Sequence, residues 1–422
     1  MQRFIIEGGI PLSGAVQVAG AKNAVLKMMA AAALTDEPVV LHNVPRISDV
    51  TIMRATMGDL GFSLKDRPDG ALEILAGEAE WLFVPLEAAM KMRSSFILLG
   101  PLLARFGRVI ISNPGGDRIG RRPVDLHVEA MRLLGAEVDY RNGYYFAQAD
   151  GLRGAHVTFP YVTVMGTENV MLAACLARGT TVIDNAAREP EVDDLITLLS
   201  AMGARIARTA ERRIEIEGTE RLGGAEHRVV GDRIEAGTFA VAAALTGGRI
   251  EISGFRPGDL AAAADLLEGM GVTLEPLEEG DGLAVSANPG ELKPVALETA
   301  PWPGVATDLQ APLSILLTQA NGVSTIHETI YEDRLEYTAE LVKMGAEIEV
   351  VDERNARIAG PTQLEGRAVQ IPDLRAGATL VLAALVATGT SIVSGVEHVD
   401  RGYERFEAKL VGLGARIQRT DG

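Results

Sequence analysis

MGDLGFSL (57–64), MRLLGAEV (131–138), LSAMGARI (199–206), LEGMGVTL (267–274), LVKMGAEI (341–348) and LVGLGARI (410–417) are six versions of one pattern. In each, an apolar stretch closes on Met-Gly or Leu-Gly and a strand-like stretch follows. The shared glycines, Gly61, Gly135, Gly203, Gly271, Gly345 and Gly414, stand 74, 68, 68, 74 and 69 residues apart. Six units of about 70 residues account for essentially all 422 positions, so the repeat is the architecture itself. Glycine is the expected stop for an amphipathic helix, because it takes positive φ without Cβ strain.

Each glycine-stopped helix has a partner segment in which an apolar helix turns into a second strand. AAALTDEPVVLHNVP, LLARFGRVIISNPGG, LARGTTVIDNAAREP, AAALTGGRIEISGFRPGD, LTQANGVSTIHETIYEDR and LVATGTSIVSGVEHVDRG are the six examples. Their strand portions (TTVID, RIEIS, SIVSG) are β-branched or alternating, and the helices carry apolar residues at three- and four-residue spacing. A unit therefore reads as two helices with several short strands, an α/β arrangement. One unit alone leaves its apolar face uncovered. FAVAAALTGG and LVLAALVATG are apolar all round, which favours helices inside and sheets outside. Six units divide most simply three and three, with the seam near RVVGDRIEAGTF at about Gly231. This predicts one domain over 20–230 and a second over 1–19 plus 231–422, the opening strand RFIIEGG completing the last unit.

Composition narrows the partners. A formal charge of −17 argues against nucleic acid and anionic membranes, and makes local clusters of Arg and Lys informative. The lone Cys175 excludes a disulfide framework or cysteine metal site within one chain and reads as a small core residue. The N-terminus lacks the form of a signal peptide, and no apolar run reaches the roughly 20 residues needed to span a bilayer. The expectation is a soluble cytoplasmic protein. The six histidines show no metal-ligand spacing or Ser-His-Asp arrangement, and no Walker A or dinucleotide fingerprint is present. Acid–base chemistry is left to Asp or Lys.

The unusual residues lie in loops where the copies diverge. Lys22 and Asn23 in GAKNAVL stand at a glycine-to-helix junction that favours an anion. In SNPGGDRIGRRPVDLH (112–127), Gly115 and Gly116 predict a mobile turn, and Asp117 stands among Arg118, Arg121 and Arg122. One acid among guanidiniums suits phosphate binding with proton transfer. Arg188 with Glu189, Asp232 with Arg233, Asp308, Glu332–Arg334, Asp373 with Arg375 and Asp400 with Arg401 recur at like ends of units. A single pair reads as a loop salt bridge; their recurrence predicts that they converge on one cleft if the halves face each other.

GAKNAVL, GPLLARFG, PGGDRIGRRPVDLH, GTENVMLAA, NAAREPEV, DRIEAGTF, TDLQAPL, DLRAGATLVLA and HVDRGYE occur in this order between residues 20 and 405. In these stretches the chain resembles the UDP-N-acetylglucosamine 1-carboxyvinyltransferases of the enolpyruvyl transferase superfamily. The resemblance implies a two-domain inside-out α/β barrel, three units per domain, with the active site in the cleft. It further implies transfer of the enolpyruvyl group of phosphoenolpyruvate to the 3′-hydroxyl of UDP-N-acetylglucosamine by addition and elimination, in peptidoglycan precursor synthesis. No metal or organic cofactor is implied, and the protein would act as a monomer or weak homo-oligomer. Lys22, Arg122 and Arg401 would hold phosphoenolpyruvate, with Asn23 and Arg93 joining the substrate site. Arg122, Pro123, Val124, Asp125, Leu126, Thr163, Val164 and Ile330 would meet the nucleotide sugar. Asp308 would face the sugar hydroxyl as base, Asp117 would protonate phosphoenolpyruvate, and Asp373 with Arg375 would help order the closed state.

Three departures stand out. Most members carry cysteine where this chain has Asp117, which predicts insensitivity to fosfomycin, since a carboxylate is a poor nucleophile toward that epoxide. Where Lys-Val-Ser-Val-Gly-Ala-Thr is usual, this chain reads Tyr161, Val162, Thr163, Val164, Met165, Gly166 and Thr167. Val305 and Ala306 replace a commoner Phe-Pro. The alternatives are a shikimate 3-phosphate-dependent enolpyruvyl transferase, against which GAKN and RRPVDLH speak, and a catalytically silent paralogue that binds the nucleotide sugar.

Overall fold

The computed structural model describes residues 2–77, 82–115, 123–278 and 280–421. Asp117, Arg118, Arg121 and Arg122 lie outside the described residues. Two compact units result, one of residues 20–115 and 123–230, the other of residues 2–19 and 231–421.

All six repeat glycines are left-handed, with φ of 92°, 94°, 97°, 96°, 105° and 105° in chain order. Each ends its helix with the same two bonds. In the third copy, Gly203 N–H donates to Ser200 O and Ala204 N–H to Leu199 O, at 3.0 and 2.9 Å. Gly61/Phe62, Gly135/Ala136, Gly271/Val272, Gly345/Ala346 and Gly414/Ala415 repeat the pair. This Schellman geometry satisfies carbonyls that a helix end leaves without partners. It also explains the apolar residues of the pattern. Met57, Met131, Leu199, Leu267, Leu341 and Leu410 are buried, as are the residues that follow the glycines.

Among the described residues there are six four-stranded sheets, and none closes on itself into a barrel. They share one plan. His156–Thr158 runs parallel to Thr180–Asp184, which pairs antiparallel with Arg213–Glu217, and that strand with Arg205–Ala210. In each unit the plan is completed from far along the chain. Ala225–Arg228 supplies the parallel strand beside Val39–His42. Gly14–Gln17 does so beside Arg249–Ser253. Gln2–Glu7 lies antiparallel between Thr390–Ser394 and Arg416–Asp421, the place a local strand fills elsewhere.

Central helices lie beneath the sheets. In one unit, Arg233–Thr246, Thr307–Leu317 and Leu374–Val386 pack against each other and are buried almost throughout. Lys22–Ala31, Leu99–Phe106 and Val164–Ala174 are their counterparts in the other. Small residues let these helices approach. A Cβ on Gly100 would stand 2.4 Å from both the carbonyl and the side-chain oxygen of Asn169. The glycine-stopped helices lie outside this layer and bury one face each, as Ser48–Asp59 does with Val50, Met53 and Met57.

Candidate active site

Of the expected site residues, Lys22, Asn23, Thr163, Val164, Asp308, Asp373 and Arg375 stand at the N-terminal ends of central helices. In the unit of residues 20–230, Lys22 opens its helix after Ala21, which has no side chain able to cap the first turn. Nζ of Lys22 lies 2.7 Å from Oδ2 of Asp49, and both side chains are nearly excluded from solvent. A turn later, Lys27 donates to the carbonyl of Asn23 and stands 3.4 Å from the carboxylate of Glu168. Burial pushes the Glu168 carboxyl up to about 7, with Lys27 opposing the shift and Glu191 and Glu189 adding to it. Lys22 and Asn23 therefore sit on a helix start braced by buried charge.

Arg93 opens the helical turn Arg93–Leu98, and its Nη2 reaches the carbonyl of Pro123 at 3.4 Å. Asn169 links this turn to the Pro123–Leu126 segment. Its Nδ2 bonds the carbonyl of Phe96 (3.0 Å) and Nδ1 of His127 (3.1 Å), while its Oδ1 accepts from Gly100 N–H (2.7 Å). Burial, followed by the charge of Arg93, holds His127 down to about 3, so the ring is neutral and Nδ1 can accept. Asp125 starts the helix Asp125–Leu133, where a carboxylate suits the positive helix end. Thr163 caps Val164–Ala174 by accepting from Gly166 N–H at 3.3 Å. A Cβ on Gly166 would lie 2.5 Å from Cγ2 of Thr163, so glycine at this place, one after Met165, permits the cap.

In the other unit, Asp308 is the second residue of its helix and takes a guanidinium on each oxygen. Oδ1 lies 2.9 Å from Nη2 of Arg334, and Oδ2 lies 2.8 Å from Nη2 of Arg375. Both arginines are buried, and Nη1 of Arg334 has no hydrogen-bond partner among the described residues. An unsatisfied buried donor beside a paired carboxylate is costly in an apolar core and common at binding sites. The Arg375 guanidinium packs 5.4 Å from the ring centroid of Tyr403. Burial lowers its pKa, but Asp308, Tyr403 and Asp232 outweigh that and raise it above the ordinary arginine value. Asp373 has a different task. It caps the helix Leu374–Val386, its Oδ1 accepting from the N–H groups of Arg375 (2.9 Å) and Ala376 (3.1 Å). Asp232 does the same for Arg233–Thr246.

Ile330 N–H donates to Oε1 of Glu328 at 2.8 Å. Arg401 ends the turn Val396–Arg401, and its neighbour Asp400 is gripped through both oxygens by Arg419, at 2.7 and 2.8 Å. Cys175 is fully buried and burial pushes its thiol up to about 12, leaving it protonated at neutral pH. Asp117 and Arg122 lie outside the described residues. Asp308 meets Arg375 and Arg93 meets Pro123, pairings that the sequence did not specify. Arg334, from the Glu332–Arg334 loop, also joins Asp308, while Glu328 and Asn169 come from positions read for no role in the sequence. Among the described residues no group of His, Cys, Asp and Glu could hold a metal ion, and no helix is long and apolar enough to cross a membrane.

The two units together hold six sheet-and-helix repeats, with charged residues at the starts of several central helices. Residues 6–410 match the EPSP synthase (3-phosphoshikimate 1-carboxyvinyltransferase) family. The chain is 47% identical over its whole length to the UDP-N-acetylglucosamine 1-carboxyvinyltransferase of Caulobacter vibrioides, covering 99% of it. It is 46% identical to that of Dinoroseobacter shibae, at 100% and 99% coverage. The enolpyruvyl transferase NikO from Streptomyces tendae superposes with a TM-score of 0.90, at 26% identity and 100% and 99% coverage. EPSP synthase from Acinetobacter baumannii shares the fold, with a TM-score of 0.74 at 19% identity and full coverage of both chains. The chain belongs to the UDP-N-acetylglucosamine 1-carboxyvinyltransferase family, within the wider EPSP synthase group.

Proposed function

We propose that this protein transfers the enolpyruvyl group of phosphoenolpyruvate to the 3′-hydroxyl of UDP-N-acetylglucosamine, releasing phosphate and opening peptidoglycan precursor synthesis. The observation that carries this reading is the 47% identity along the whole chain to relatives named for this transfer. Asp308 takes the proton of the hydroxyl as its oxygen bonds to C2 of phosphoenolpyruvate, and Asp117 delivers a proton to C3. The product of addition is a tetrahedral ketal. Elimination removes a C3 proton, restores the double bond and expels phosphate. Lys22, Arg122 and Arg401 neutralise the phosphate and carboxylate throughout, which is electrostatic stabilisation where charge develops. Lys22 exchanges Asp49 for the substrate anion.

Arg93, Asn23, the 122–126 segment, Thr163, Val164 and Ile330 hold the nucleotide sugar, and Asp373 acts through Arg375, whose helix it caps. The reading takes the protein as a cytoplasmic enzyme acting as a monomer or weak homo-oligomer. A free aspartic acid has a pKa of about 3.9 and is mostly ionised at neutral pH. Asp117 must therefore be desolvated, or set beside the substrate's anionic groups, to keep its proton. A pH–rate profile left unchanged by Asp117→Asn sinks this role.

The decisive assay is phosphate release from phosphoenolpyruvate with UDP-N-acetylglucosamine or shikimate 3-phosphate as acceptor, with Asp117→Ala as control. Release with the nucleotide sugar alone is expected; release with neither acceptor points to a silent nucleotide-sugar-binding paralogue. Fosfomycin should leave the enzyme active, because Asp117 is a poor nucleophile and the Cys175 thiol is buried and protonated. Time-dependent inactivation with an adduct mass on Asp117 counts against this.

A further inference from the structure

Glu328 follows the strand Gly322–His327 and is wholly buried. Both carboxylate oxygens are engaged. Oε1 accepts from the N–H groups of Ile330 (2.8 Å) and Tyr331 (3.2 Å), and Oε2 accepts from the hydroxyl of Thr307 at 3.0 Å. Thr307 immediately precedes Asp308 at the start of its helix.

The anchor itself is rigid. Glu328 N–H donates to the carbonyl of Arg354 (2.8 Å), and its carbonyl accepts from Nη1 of Arg354 (3.0 Å). The next residue, Thr329, donates twice to Thr299, from its N–H to Oγ1 at 2.9 Å and from its hydroxyl to the carbonyl at 2.6 Å. At its far end the segment returns to the same helix. Arg334 bonds Asp308 and lies 5.6 Å from the ring centroid of Tyr331. Residues 328–334 are thus stitched to the first turn of the Asp308 helix twice, once by Glu328 to Thr307 and once by Arg334 to Asp308.

We infer that Glu328 is a positioning residue that fixes the nucleotide-sugar contact at Ile330 and the orientation of Asp308 together, without touching substrate. The inference rests on the proposed function. A buried carboxylate is costly unless its lone pairs are filled, and here three donors from two segments fill them. The geometry therefore couples acceptor binding to base placement. Shortening or removing the side chain frees the Ile330 backbone and the Thr307 hydroxyl at once.

The test uses the full-length enzyme with Glu328→Ala, Glu328→Asp and Glu328→Gln, read by steady-state kinetics and by calorimetric binding of UDP-N-acetylglucosamine. Misplacing groups by about 1 Å can cost two orders of magnitude, so Glu328→Ala and Glu328→Asp should each raise KM for the nucleotide sugar, and its Kd, by about tenfold or more. In both variants kcat should fall with it, while KM for phosphoenolpyruvate moves much less. Glu328→Gln keeps an oxygen for the two N–H groups and should recover most of the loss. If Glu328→Ala does not fold, Glu328→Asp keeps the charge and most of the packing and reads the same effect. A folded Glu328→Asp enzyme with a lower thermal midpoint but wild-type KM and kcat overturns the inference. So does a Glu328→Gln enzyme as impaired as Glu328→Asp. Wild-type protein that releases no phosphate with UDP-N-acetylglucosamine overturns the functional reading instead, before any variant is measured.

Discussion

The outer helices all end alike, whereas the central helices begin in different ways. Six times over, a glycine at φ near 100° closes a helix with the same pair of backbone bonds. The central helices start after Ala21, Leu98, Thr163, Asp232, Ala306 and Asp373, of which only Thr163, Asp232 and Asp373 cap with their side chains. The remaining helix starts include Lys22 and Asp308. Uniform ends build the scaffold, and the varied starts include two without a side-chain cap at which Lys22 and Asp308, both proposed for the chemistry, stand.

The sharpest break of this comparison sets Asp308 against the capping aspartates. Asp308→Ala should lower kcat by about 10²–10⁴-fold, the range of general acid–base catalysis, with the protein still folded. Steady-state phosphate release checks it. A variant within tenfold of wild type would make Asp308 an ordinary helix-end residue.

At the uniform ends the expectation is equal cost with no change in chemistry. Gly135→Ala and Gly203→Ala meet no atom within 4 Å, so what remains is the strain of a left-handed backbone. Each should lose about 1–2 kcal/mol in denaturant unfolding, with kcat per folded molecule retained. Unequal losses would mean that the copies are not energetically equivalent.

Asp232→Ala removes a cap and should cost about 1 kcal/mol, read the same way. Its effect on kcat should be far smaller than that of Asp308→Ala, although both residues stand at starts of central helices.

The smallest effect concerns pH. Burial raises Glu168 and Glu235 from the ordinary 4.5 to about 7. Each binds its proton more tightly folded than unfolded. Its contribution is full below about pH 4.5 and is lost as pH rises through 7. Glu168→Gln should therefore narrow the difference in thermal midpoint between pH 5 and pH 8 by about 2–4 °C. It should do so even if it lowers both midpoints by leaving Lys27 with a weaker partner. An unchanged difference would show that Glu168 does not titrate in that window.

The scaffold was legible because its signal is local. A Schellman stop needs glycine flanked by two buried apolar residues, and those three positions sit within a few residues of one another, as at Leu199, Gly203 and Ala204. The recurring Asp-Arg pairs were legible but ambiguous. At Asp232 and Asp373 the carboxylates are helix caps, which accounts for part of the recurrence without any shared substrate. Asp308 differs in standing inside its helix, with arginines 26 and 67 residues away as partners. Glu328 and Asn169 escaped notice for the same reason. Their partners are fixed by packing between distant segments, which periodicity cannot reveal.

The strand plan also sets an order of assembly. Every sheet of the 20–230 unit has all its strands once residue 228 has been made. The other unit holds Gln2–Glu7 in the middle of a sheet whose outer partner is Arg416–Asp421. During synthesis, Gln2–Glu7 must wait for Arg416–Asp421 before its sheet is whole. Vectorial folding from the ribosome can finish one half early, whereas the other depends on strands that are far apart in the chain.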